Sequence, residues 1–154
     1  MEYIVVKWLH ILSSTLLFGT GLGSAFYMFY ASRTCDVRAI AVVTRYVVIA
    51  DWVFTTPTII LQPLTGLYLL HLIGLPFTSQ WIAWSIALYV LAGACWLPVV
   101  WMQIRMRDMA AAAVASGGSI PDLYRRYLRR WVALGIIAFL ALVVVFYLMV
   151  AKPM

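Results

Sequence analysis

Four long apolar runs separated by short polar connections leave this chain few ways to fold. The runs cover about residues 3–30, 46–73, 81–101 and 131–150. A bilayer's hydrocarbon core is about 30 Å thick and takes roughly 20 helical residues to cross. Each run meets that length, and the first exceeds it, so tilt or an end outside the core is expected there. The composition agrees: 66% of the residues are hydrophobic and 10% charged, against about 45–50% and about 25% in soluble domains. The expected fold is all-α, a four-helix transmembrane bundle that uses the whole chain, 1–154, as one domain.

The net charge of +6 would suggest nucleic acid in a soluble protein. Here the arginines cluster between apolar runs, so nucleic acid is not an expected partner. Arg33, Arg38 and Arg45 lie in the first connection. Arg105, Arg107, Arg125, Arg126, Arg129 and Arg130 lie in or beside the third, and the second carries no charge. By the positive-inside rule the first and third connections face the cytoplasm. Both termini then face the periplasm or exterior of a bacterial inner membrane. The N-terminus lacks the charged region and small-residue cleavage pattern of a signal peptide. Cys35 falls in a connection and Cys95 inside an apolar run, so two free thiols are expected.

Two readings concern the connections. Residues from Arg33 to Arg45 read as a polar loop. The segment after Trp101 reads as the longest connection, closed by Ser119-Ile120-Pro121-Asp122, which matches a capping box with Ser119 as N-cap.

His10 and His71 are the only histidines. Helix 1 runs inward and helix 2 outward, so a residue early in one and a residue late in the other share a leaflet. His10 lies about 10 Å below the outer end of its helix at about 1.5 Å per residue. Imidazole is a common axial donor to haem iron, and an ionisable group inside a span usually has a function. Ser13 and Ser14 beyond His10, and Gly66 before His71, leave space for a planar ring. Lys7, one turn outward of His10, is placed to snorkel or to meet a propionate. The plainer alternative is a pair of histidines bonded to neighbouring helices or headgroups.

Asp51 begins the stretch Asp51-Trp52-Val53-Phe54-Thr55-Thr56-Pro57 near the cytoplasmic end of helix 2. It reads either as a proton site or as an ion-pair anchor for an arginine. Pro57 and Pro63 each remove a helical hydrogen bond and can bend the helix. Gln62, between them, needs a polar partner. Thr15, Gly19 and Gly23 form a small-residue row suited to close helix contact, within the bundle or in a homo-oligomer.

The segments Lys7-Trp8-Leu9-His10-Ile11 and Asp51-Trp52 through Gln62-Pro63-Leu64-Thr65-Gly66 resemble two related groups. One is the HemJ-type protoporphyrinogen oxidases; the other is the DUF2269 bacterial membrane proteins, to which helix 2 is more similar. The resemblance covers the first half of the chain best. It implies a haem-handling four-helix bundle, with His10 matching the histidine taken to ligate haem b in the HemJ type. Ser85 stands where those enzymes carry a lysine, in Trp81-Ile82-Ala83-Trp84-Ser85, and that departure counts against oxidase activity. CopD-type copper-uptake proteins look distantly similar, but this chain lacks an outer methionine or histidine cluster.

The resulting expectation is a haem b membrane protein with a redox or electron-transfer role, His10 and His71 being iron ligands. Its electron partner would be a quinone, a porphyrinogen or a membrane redox protein. The alternatives are a cofactor-free scaffold or transport-associated subunit, and a protoporphyrinogen IX oxidase.

Overall fold

The computed structural model describes residues 1–76 and 79–153, and every regular element among them is helical. In chain order these are α1 (Glu2–Ala31), α2 (Val37–Ala50), a π-helical turn (Asp51–Thr55), α3 (Thr56–Ile73), α4 (Gln80–Ser116) and α5 (Asp122–Ala151). Helices α1, α4 and α5 are each long and apolar enough to cross a membrane. Helix α2, the π turn and α3 follow one another without a break from residue 37 to 73. The uncharged connection to α4 includes Phe77 and Thr78, which lie outside the described residues.

The loop after α1 is shorter than its charge suggests. Asp36 caps α2, its Oδ1 accepting from the amides of Arg38 (2.9 Å) and Ala39 (3.2 Å). That arrangement satisfies two of the free N–H groups at a helix start. Arg38 and Arg45 therefore ride on a helix. Cys35, in the tight turn before the cap, takes a left-handed φ of 61°.

A larger correction concerns the third connection. Helix α4 does not end near Trp101 but continues through Arg105, Arg107 and the alanines to Ser116. Alanine, methionine, glutamine and arginine are all strong helix formers, and charge alone does not break a helix. It stops at Gly117 (φ 64°), where the Gly118 amide reaches back to the Ala113 carbonyl at 3.0 Å. That is the glycine-terminated motif expected of a helix end. The same motif ends α3 at Gly74, with the Leu75 amide on the Leu70 carbonyl at 3.2 Å.

The capping box at Ser119 does not form. Pro121 holds its predecessor out of the helical region, and α5 begins only at Asp122, with no side-chain cap.

The π turn has a local cause. Pro57 supplies no amide to the carbonyl four residues back, and the chain takes in an extra residue just before it. The Thr56 amide bonds to the Asp51 carbonyl, and the Thr56 hydroxyl reaches the same oxygen at 2.9 Å. Thr58 donates back to the Phe54 carbonyl at 2.6 Å. The hydroxyls of Thr56 and Thr58 thus take up carbonyls on either side of the proline.

The most extensive pairing is α4 against α5, followed by α1 on α3 and α2 on α4. The tightest packing lies at the arginine-bearing end, where Met28, Ile40, Val47, Met106, Tyr124 and Trp131 share one cluster. Tyr124 is fully buried there, and its hydroxyl meets Ser32 Oγ at 2.7 Å, tying the start of α5 to the end of α1. Large apolar side chains such as Leu97, Leu140 and Tyr147 face outward. That arrangement suits lipid and would be costly in water.

Candidate functional site

Where α1 and α3 pack, five residues form a polar clasp: His10 and Ser13 on α1, and Gln62, Thr65 and Gly66 on α3. Gln62 is buried and donates both amide protons across the interface, to the His10 carbonyl (2.9 Å) and to Ser13 Oγ (2.7 Å). Ser13 in turn donates to the His10 carbonyl at 3.2 Å. Inside a bilayer a polar side chain has no water to fall back on, so such a set holds two helices in register.

The His10 ring is fixed from two sides. Its Nδ1 lies 2.7 Å from Thr65 Oγ1. That hydroxyl also lies 2.6 Å from the Leu61 carbonyl and 3.2 Å from the Gln62 carbonyl, both of which only accept. The single threonine proton therefore goes to its own helix, and the His10 contact is an Nδ1–H donating to Thr65. A neutral imidazole so held keeps its free lone pair on Nε2. On the other side the ring lies against Gly66, where an added Cβ would come within 3.2 Å of His10 Cε1. Only glycine lets the ring sit there without displacement.

The structure brings His10 and Gly66 together, but it fills the space beside Gly66 with the His10 ring itself. Ser14 stays outside the clasp, donating to the Ile11 carbonyl at 2.7 Å. Lys7 is exposed, with its ammonium over the Tyr3 ring at 5.6 Å. His71 is exposed in the last turn of α3 and stacks on Tyr68, ring centroids 6.4 Å apart. It is nine residues beyond Gln62, which at about 100° per residue puts it on the opposite face of α3. Tyr68 itself is anchored by donating to the Glu2 carboxylate. Among the described residues no group of three or more His, Cys, Asp or Glu side chains is placed to hold a metal.

Asp51 lies apart from the clasp, at the head of the π turn, and is 5% exposed. Its Oδ1 accepts from Thr55 at 2.9 Å, and its Oδ2 has no partner. The Gln103 side chain of α4 is also buried, 3% exposed, and its Oε1 has no partner among the described residues. Ion pairing with an arginine does not occur, since the one ion pair among the described residues joins Arg107 to Asp108.

Two residues at helix interfaces are not among those singled out from the sequence. Gln103 is one. Its signal is the buried stripe Cys95, Val99, Met102, Met106, Ala110 and Ala113, which runs at helical spacing straight past it. Tyr89 is the other, donating from α4 to the Ile59 carbonyl of α3 at 2.6 Å. Ile59 lies four residues before Pro63, so its carbonyl has lost its own helical donor.

No curated protein and no solved structure matches the chain. A family model described as a predicted integral membrane protein does match, over residues 4–153, and the chain belongs to that family, DUF2269.

Proposed function

We propose that this protein binds haem b between its membrane helices, with His10 Nε2 as an axial ligand, and serves a redox or electron-transfer role. The observation that carries the reading is the 2.7 Å contact of His10 Nδ1 with Thr65 Oγ1, which leaves Nε2 free. Metal-ligating histidines characteristically donate their second nitrogen to a protein acceptor, which sets the tautomer and aims the ring. When bound, the haem would supply one-electron chemistry at a potential tuned by its ligand and the dryness of its site. The chain's own contribution is to hold the ring with Thr65 and Gly66 and to keep Lys7 free at the helix end for an anionic group.

His71 stands outside the clasp, so it is the less supported of the two ligands. The protein purified in detergent is expected to show a Soret band that His10→Ala abolishes and His71→Ala retains. Colourless His10→Ala beside equally colourless wild type, from cells supplied with haem, would sink the reading. A quinone, a porphyrinogen or a membrane redox protein would exchange the electrons. A porphyrinogen oxidase like the HemJ type is less favoured, because buried Ser85 donates to the Trp81 carbonyl at 2.6 Å and offers no ammonium.

The proposal includes four spans, residues 37–73 forming the second, with both termini outside. Cys35 tests this, being the exposed thiol while Cys95 is buried. A membrane-impermeant maleimide should leave intact spheroplasts unlabelled and modify Cys35 only after lysis. Labelling before lysis would reverse the orientation.

A second reading, a cofactor-free scaffold, draws on α1. Gly19, Gly21 and Gly23 have open space where side chains would stand, room for a partner helix. Gly19→Ile with Gly23→Ile should then reduce the size of the detergent-extracted complex while leaving the monomer folded. An unchanged size would remove this reading.

A further inference from the structure

The clasp around His10 leaves the arginines at the start of α5 without a role. Arg126, Arg129 and Arg130 stand at i, i+3 and i+4 on α5, so at about 100° per residue they share one side of the helix. Tyr124 and Trp131 take the opposite side into the apolar cluster of the bundle. The three arginines are exposed, and with Ala133 they line one cleft of about 420 Å³. No carboxylate of the chain neutralises them. The one ion pair among the described residues joins Arg107 to Asp108, and Asp122, a turn before Arg126, does not reach it.

Guanidinium groups keep their charge at any ordinary pH, and like charges three or four residues apart on a helix repel. A bound anion removes that repulsion, and guanidiniums pair with phosphate through two parallel hydrogen bonds. What lies below the cleft indicates the kind of anion. Helix α5 is long and apolar enough to cross a membrane, and the arginine face continues along it through Ala133, Ile137, Leu140 and Val144, all exposed. From Ala133 to Val144 the helix rises about 16 Å, close to one leaflet of a hydrocarbon core about 30 Å thick. A molecule that matches both parts carries phosphate at one end and hydrocarbon at the other. A soluble anion would leave the apolar stripe unused.

We propose that Arg126, Arg129, Arg130 and Ala133 hold the headgroup of one anionic phospholipid, its acyl chains lying along the exposed face of α5. The arginines take the phosphate, and the small side chain at 133 leaves the cleft open where a larger one would fill it. The complementarity is local. Arg105 of α4 is exposed at the same end of the bundle but does not line the cleft. The site does not depend on what His10 binds.

Native mass spectrometry of the detergent-solubilised protein tests this, with equal amounts of phosphatidylglycerol and phosphatidylcholine of matched acyl chains supplied. The wild type is expected to retain one phosphatidylglycerol in preference to phosphatidylcholine. Arg126→Gln and Arg130→Gln should each lower that retention about fivefold, the scale of one arginine at an anionic lipid surface. Arg105→Gln should leave it unchanged. Ala133→Phe keeps every charge and should still lower retention, because it fills the cleft. Equal retention of the two lipids by wild type would overturn the site. An equal loss in Arg105→Gln and Arg126→Gln would do so too, reducing the effect to diffuse attraction, and so would wild-type retention in Ala133→Phe. Inorganic phosphate that displaces the lipid where chloride of equal ionic strength does not would assign the cleft to a soluble anion, and would equally overturn it. Lipid preference and phosphate competition are both read on the wild type, so misfolding of a variant does not rescue the idea.

Discussion

Gly66→Val should be among the most damaging single substitutions in this protein. A Cβ at residue 66 already meets His10 Cε1 at 3.2 Å, and valine adds two methyl groups with little rotamer freedom in a helix. The imidazole must swing away, which breaks its bond to Thr65 and pries α1 from α3 around Gln62. Overpacking of this kind costs about 1–3 kcal/mol. Loss of the His10–Thr65 bond adds about 0.6 kcal/mol on the average scale for interhelical bonds in membranes. Gly66→Ala should be milder, since the ring needs to yield only a few tenths of an ångström. Gly93→Ala is the control: its Cβ meets nothing within 4 Å, and helix propensity favours alanine by about 1 kcal/mol. Unfolding in mixed micelles should rank Gly93→Ala at or above wild type, then Gly66→Ala, then Gly66→Val. Valine at 66 with wild-type stability would mean that the ring does not rest there.

Tyr89→Phe should cost more than the loss of one ordinary interhelical bond. Such bonds average about 0.6 kcal/mol in membrane proteins because the freed groups find other partners. The Ile59 carbonyl has no other partner to find, since Pro63 carries no amide proton. An orphaned buried acceptor costs about 1–3 kcal/mol. The dependence on Pro63 makes the claim specific. With Pro63→Ala the helix regains its donor to Ile59, so Tyr89→Phe in that background should fall well below its cost in wild type. An equal cost in both backgrounds would show that the hydroxyl matters for some reason other than the proline.

The apolar runs made the helices legible, and the second of them stops where Gly74 ends α3. What the charges obscured was helix length. Arg38, Arg45, Arg105 and Arg107 sit on helices that extend beyond any apolar window, because helix formation tolerates arginine even where a bilayer does not. Capping failed at Ser119 because Pro121 governs the backbone before it, and a motif of side-chain types does not encode that restriction.

Site residues divide in the same way. His10, Gln62 and Gly66 could be singled out as an imidazole, a polar group in need of a partner and a space. Their sequence spacing does not reveal that one fills another. His71 lies toward the same end of the bundle as His10, but depth is only one coordinate, and the azimuth of a residue around its helix decides what it meets. Asp51 was visible as a buried acid. Buried Gln103 was not visible, because it lay in a stretch read as a connection.

The most direct test of the haem reading is the haem content of the wild-type protein, purified from cells grown with ample haem and assayed as the pyridine complex. The clasp around His10 predicts stoichiometric haem b that survives purification and is absent from His10→Ala. Folded wild-type protein free of haem, with His10→Ala equally stable and equally colourless, would contradict it.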